Sequence, residues 1–229
     1  MKFHPHSQVL ANPIPEIDLM SSVSVDCVIL GFEENKLKVL LIQHKGGPKD
    51  GEWALPGDFV QKDMDLNEMP YEVLHRLTGI KDIFVEQLGA FGQSTRVDYR
   101  RIITIGYYAL INPRKYELKI GSGARKIKWF PISDTPCLIF DHNSILNSAI
   151  KKLQDDLEIK PIGSELLPEE FTLTQMQNLY ESILGEKQDT RNFRRKIANL
   201  RILKDTGKVD HSAPHRAPKL YEFVKSKVK

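Results

Sequence analysis

Apolar residues recur along this chain in two periods, and the switches between them mark out the elements. Ser22–Phe32 is a run rich in β-branched residues and predicts a strand. A polar connection, Glu33-Glu34-Asn35-Lys36, leads into a second strand at Leu37–Gln43, so the pair reads as a hairpin. Gly46-Gly47-Pro48 marks His44–Gly51 as a loop. The period then lengthens: Leu66, Met69, Val73, Leu74 and Leu77 follow helical spacing, predicting a helix over Asp65–Leu77 with Pro70 early in it and Gly79 as its stop. Strands are predicted at Phe84–Gly92, Ile102–Ile111 and Lys126–Ile132, and an amphipathic helix at Asn143–Leu157. Several strands with intervening helices make an α/β domain. The Pro-rich, aperiodic residues 1–20 read as an extended lead-in.

Lys160-Pro161-Ile162-Gly163 suggests a boundary, dividing the chain into residues 21–158 and 159–229. Beyond it the pattern is compact. Leu173, Met176, Leu179, Tyr180, Ile183 and Leu184 place one helix between Thr172 and Gly185. Asp189 caps a second, Thr190–Leu200, with Phe193, Ile197 and Leu200 as its inner stripe. Ile202–Asp205, a Thr206-Gly207 turn and Lys219–Phe223 read as the strands of a wing. This order predicts a winged helix-turn-helix.

Composition bounds the function. With 229 residues, 41% apolar and 28% charged, the chain suits two soluble domains. No run approaches the roughly 18–20 apolar residues of a membrane span. Met1–His6 lacks the basic start and apolar run of a signal peptide, so a cytoplasmic location is expected. Cys27 and Cys137 both lie in apolar segments and are expected to be buried thiols.

The net charge of +3 hides a division: residues 187–229 carry 13 Lys and Arg against 4 acids, whereas residues 1–186 carry 20 against 26. A basic second helix in a helix-turn-helix points to double-stranded DNA. Arg191 and Asn192, in its first turn, are placed for base edges; Arg194, Arg195, Lys196 and Lys208 for phosphate; Arg216 for a neighbouring minor groove. Thr174, Gln175, Thr190 and Lys219 complete the expected interface. The competing reading is a solvated basic helix in a protein-interaction adaptor.

Gly51–Val60 resembles the approach to a Nudix box. Anchored on Gly79-Ile80, the box frame puts its first Gly on Asp58, its first Glu on Met64, Arg-Glu on Glu72-Val73 and Glu-Glu on Arg76-Leu77. In Nudix enzymes those glutamates hold divalent cations on a pyrophosphate; Met64, Val73 and Leu77 cannot ligate, and Arg76 repels a cation. Neither catalytic residues nor a metal nor another cofactor is therefore expected. Glu68 and Glu72 remain as a pair four residues apart, open to a displaced metal site or simple solvation. Together with Leu88–Gly92, Leu138–His142 and Leu166–Asn199, the box resembles the Nudix-related (NrtR-like) transcriptional regulators. The resemblance implies a Nudix-like α/β/α sandwich followed by the winged helix, a homodimer, and control of an operator by a small-molecule effector.

Branches of that family respond to ADP-ribose-type nucleotides or to sugars. The degraded box resembles the sugar-sensing branch, so a pentose such as L-arabinose is the first expectation and ADP-ribose the second. Lys45, Trp53, Asp58, Gln61, Phe91, Asp98 and Arg101 are the candidate effector residues, with core packing the competing reading for Trp53 and Phe91 and loop geometry or the dimer interface for Asp98 and Arg101. The enzymatic rival is a divergent hydrolase of nucleotide sugars or ADP-ribose.

Overall fold

The computed structural model describes residues 22–157, 163–211 and 217–224. The expected lead-in at 1–20, most of the boundary segment and Arg216 lie outside them.

The central sheet is built on β1 (Val23–Glu33) and β2 (Lys36–His44), an antiparallel hairpin turned by Glu34 and Asn35, whose φ values of 53° and 58° give the twist that hairpin turns need. Two short strands follow, β3 (Trp53–Ala54) against β2 and β4 (Gly57–Phe59) against the start of β1. After helix α1 (Met69–Thr78) come β5 (Glu86–Phe91), β6 (Ile103–Ile111) and β7 (Ala124–Pro131). The main strand order is β3-β2-β1-β6-β5, with β7 beside β2; β1 and β6 run parallel from Val23↔Ile103 to Gly31↔Ile111.

Successive side chains of β1 face opposite layers. Val25, Cys27 and Ile29 join Met69, Val73, Leu74 and Leu77 of α1 in one buried layer. Val28 and Leu30 join Ile145, Leu146, Ala149 and Leu153 of α2 (His142–Asp156) in the other. The result is the expected α/β/α sandwich.

Past α3 (Gly163–Leu166), β8 (Phe171–Thr172) leads into α4 (Leu173–Leu184), α5 (Thr190–Leu200), β9 (Leu203–Val209) and β10 (Lys219–Phe223). The three strands form a small sheet ordered β8-β10-β9. Phe171, Met176, Tyr180, Ile183, Phe193 and Ile197 share one buried cluster with the α2 layer and Leu37. Two polar ties cross this seam: Ser182 Oγ donates to the Asn35 carbonyl at 3.2 Å, and Gln154 Nε2 to the Ile183 carbonyl at 2.9 Å. Among the described residues no helix is long and apolar enough to cross a membrane.

Several expectations need correction. α1 starts at Met69 rather than Asp65, because Pro70 is accommodated only in a first turn; Leu66 is left exposed. Gly79 does end it, in the left-handed conformation at φ 77°. β3, β4 and β8 are too short to leave a periodic trace. Thr206-Gly207 is not a turn but lies inside β9, where Gly207 (φ 76°) sits opposite an irregularity in the pairing with β10. Leu200 is exposed at the end of α5 rather than part of the inner stripe. Cys27 is buried, and burial pushes its thiol pKa up; Cys137 is exposed.

Candidate nucleic-acid interface and effector site

The helix-turn-helix is held by local polar clasps. Thr172 opens α4 with a capping box: its hydroxyl accepts from the Gln175 N–H at 3.1 Å, and the Gln175 side chain accepts from the Thr172 N–H at 2.7 Å. Gln175 is thereby committed to structure. In the turn, the Glu181 carboxylate accepts from Gln177 Nε2 (3.0 Å), the Gln188 N–H (3.1 Å) and Lys187 Nζ (2.7 Å). Those donors, Lys187 foremost, hold its pKa down at about 2. Gln177 Nε2 also donates to the Thr190 hydroxyl at 3.2 Å. Asp189 caps α5 by accepting from the Asn192 N–H at 2.8 Å.

α5 turns Phe193 and Ile197 inward and leaves Arg191, Asn192, Arg194, Arg195 and Lys196 exposed. Among the described residues the side chains of Arg191, Arg194 and Lys196 are given no hydrogen bond or ion pair, so no described acid compensates their charge. Arg195 Nη2 donates to Asn192 Oδ1 at 3.1 Å, leaving the Asn192 amide free to donate. The wing differs. Lys208 pairs with Glu170 and Lys219 with Asp205, each at 2.7 Å. Thr174 is exposed at the start of α4.

On the sheet, Arg76 lies at the centre of the degraded box. Its Nη2 reaches Asp58 Oδ2 at 2.5 Å, its Nε reaches Glu72 Oε1 at 3.0 Å, and its Nη1 donates to the Ser122 carbonyl at 3.3 Å. Val73 and Leu77 are buried in the α1 layer, and Met64 packs against it. This set does not fit a divalent cation: the available carboxylates are neutralised by an arginine, and the other box positions offer no oxygen. Glu72 is engaged by Arg76 and not paired with the exposed Glu68.

The other effector candidates scatter. Trp53 packs edge-on against Phe130 with ring centroids 4.8 Å apart. Phe91 packs on the α2 layer and also lines an open cavity with Leu88, Ala90 and Lys151. Arg101 Nη1 donates to the carbonyls of Gly92 (2.8 Å) and Gln93 (3.0 Å), closing the loop that begins there. Lys45, Gln61 and Asp98 are exposed.

Sequence reasoning missed what anchors that loop. Arg96 is buried, its side chain 3% exposed, and meets Asp141 twice, Nε to Oδ2 at 2.9 Å and Nη2 to Oδ1 at 2.7 Å. Asp26 Oδ2 lies 3.5 Å from the same Nη2. His142 Nδ1 accepts from the Leu55 N–H at 3.1 Å, so it carries no proton, and Nε2 faces Asp26 Oδ1 at 3.5 Å. Burial lowers the pKa of His142, keeping it neutral. Only Leu138–His142, noted as a motif, hinted at this cluster.

A Nudix-like sandwich carrying a winged helix with an exposed basic second helix defines a DNA-binding transcriptional regulator. Residues 163–223 match the NrtR DNA-binding winged helix domain. Over 206 residues the chain is 32% identical to the ADPR responsive transcriptional repressor NtrR of Acinetobacter baylyi, covering 88% of this chain and 82% of the relative. The crystal structure of Shewanella oneidensis NrtR superposes with a TM-score of 0.73 at 29% identity, covering 89% of this chain and 94% of that one. Its complex with a 27mer DNA gives 0.70 at 27%, covering 88% and 93%. Its Nudix domain complexed with ADP ribose gives 0.56 at 29%, covering 66% and 99%. An ADP-ribose pyrophosphatase of Methanocaldococcus jannaschii is 29% identical over 133 residues, 58% of this chain and 75% of that enzyme. The chain belongs to the NrtR family of Nudix-related transcriptional regulators.

Proposed function

We propose that this regulator is a homodimeric repressor whose operator affinity is set by ADP-ribose bound in the Nudix-like part. Residues 21–158 sense the effector and residues 159–229 bind DNA. The observation that carries the reading is the exposed face of α5, where Arg191, Arg194 and Lys196 stand uncompensated among the described residues while the wing lysines are paired. Its support comes from the relatives: one has been solved with a 27mer DNA and, as its Nudix domain alone, with ADP ribose. The same relatives favour ADP-ribose over the pentose that the degraded box suggests. Arg76, bound to Asp58 and Glu72, supports binding without hydrolysis.

The hydrolase reading draws on the likeness to the pyrophosphatase. Both are tested by fluorescence anisotropy of operator fragments, with ADP-ribose and L-arabinose titrated separately, alongside an assay for AMP release from ADP-ribose with Mg²⁺. Salt-dependent binding shifted by ADP-ribose, with no AMP formed, supports the repressor. Metal-dependent AMP release without DNA binding supports the enzyme.

A further inference from the structure

Around the anchored loop, residues from four separate segments form one patch of aromatic rings and cations. Tyr99 and Phe140 meet edge-on with centroids 6.1 Å apart, and Phe140 makes the same kind of contact with His142 at 6.1 Å. Lys49 Nζ stands 5.8 Å from the centre of the Phe140 ring, and the Arg100 guanidinium 5.7 Å from that of Phe59. Tyr99 is 57% exposed and Phe59 44%, a large apolar area to leave in water beside two cations.

The backbone is shaped to keep the rings there. Phe140 has φ 49°, in the left-handed region that a bulky side chain rarely adopts. Such strain persists only where its surroundings hold it, and here they do: Arg96 is clamped by Asp141, the residue next to Phe140, and Arg101 closes the loop on Gly92 and Gln93. Between those two anchors Tyr99 and Arg100 project outward. An exposed ring beside two cations, one of them Lys49 also 3.6 Å from the Glu52 carboxylate, suits a ligand with an aromatic base at one end and phosphates at the other.

Resting on the reading of ADP-ribose as effector, we propose that Tyr99 and Phe140 take its adenine ring and that Arg100 and Lys49 take its diphosphate. The loop from Gln93 to Arg101 is then one wall of the effector site, and Trp53 and Phe91 serve packing.

The test is isothermal titration of ADP-ribose into the full-length protein and its Tyr99→Ala and Arg100→Gln variants at two salt concentrations. Both side chains are exposed, so neither substitution threatens the core. Tyr99→Ala is expected to weaken binding roughly ten-fold, the order of a lost base–aromatic stack, with its salt dependence unchanged. Arg100→Gln is expected to weaken binding and flatten its salt dependence, which loss of packing alone would not do. Operator affinity without effector stays as in the parent. If the parent binds ADP-ribose and both variants match it, the site assignment is overturned and the effector reading stands. If the parent itself does not bind, the effector reading fails and takes the site with it.

Discussion

Arg96 and Asp141 are joined by two short hydrogen bonds, 2.9 and 2.7 Å, across 45 residues of chain, and Asp26 of β1 stands 3.5 Å behind them. One arginine thus ties the loop after β5 to the start of α2 and to the central strand. Removing Arg96 leaves two carboxylates without their counterion, and removing Asp141 leaves the buried Arg96 only the more distant Asp26. Asp141→Asn and Arg96→Leu are each expected to destabilise the fold by about 3–5 kcal/mol. Denaturant unfolding measures this; a change below about 1 kcal/mol would show that the pair behaves as a surface ion pair.

A second prediction separates phosphate from base contacts. Arg194→Ala with Arg195→Ala should weaken binding to all sequences and reduce the slope of log K against log salt by about 0.9 per lost phosphate contact. Arg191→Ala and Asn192→Ala should instead lower discrimination between operator and non-specific DNA by about 1–3 kcal/mol each. Lys208→Ala and Lys219→Ala should cost less than the Arg194 change, because each lysine must first leave Glu170 or Asp205. Anisotropy at several salt concentrations distinguishes the three groups.

A third concerns the cap of α5. Asp189→Ala removes the acceptor of the Asn192 N–H and should cost about 1 kcal/mol of stability. It also frays the turn that carries Arg191 and Asn192, so operator affinity should fall although Asp189 is not one of the proposed DNA contacts. Unchanged affinity would mean that the Gln177–Glu181 clasp alone positions the helix.

The fourth follows from His142. Its folded pKa is depressed below the ordinary value of 6.5 by burial, so the unfolded chain binds the proton more readily. This stabilising contribution is fully present above about pH 6.5 and is lost as pH falls below it. Melting temperatures between pH 7.5 and 5 should decline in the parent and decline less steeply in His142→Gln. Parallel curves would assign the acid sensitivity elsewhere.

What the sequence revealed follows from how each feature is encoded. The long strands, α2, α4 and α5 were legible because each repeats its period often enough to stand above chance, and the caps at Asp189, Gly79 and Gly185 sit where local chemistry demands them. β3, β4 and β8 are two or three residues long and owe their existence to pairing partners outside their own segment, which for β4 and β8 are as far off as Ser24 and Tyr221. The charge of α5 was visible, but that Lys208 and Lys219 are already paired was not, since Glu170 lies 38 residues from Lys208. The loop anchor was least legible of all: Asp26, Arg96 and Asp141 are brought together only by the fold. Nothing around Arg96 in the sequence distinguishes it from the exposed Arg100 and Arg101 close by.

Coupling of an α5–DNA contact to ADP-ribose is what separates the proposed repressor from the hydrolase. Its most direct test is anisotropy of labelled DNA from upstream of the protein's own gene and its neighbours, at low and moderate salt, titrated with protein in the presence and absence of ADP-ribose. A salt-sensitive complex is expected on at least one fragment, with an affinity that shifts about ten-fold or more with ADP-ribose, a coupling within the usual allosteric range, and that L-arabinose leaves unmoved. A complex equally tight with and without ADP-ribose, or no complex on any fragment at low salt, would contradict it.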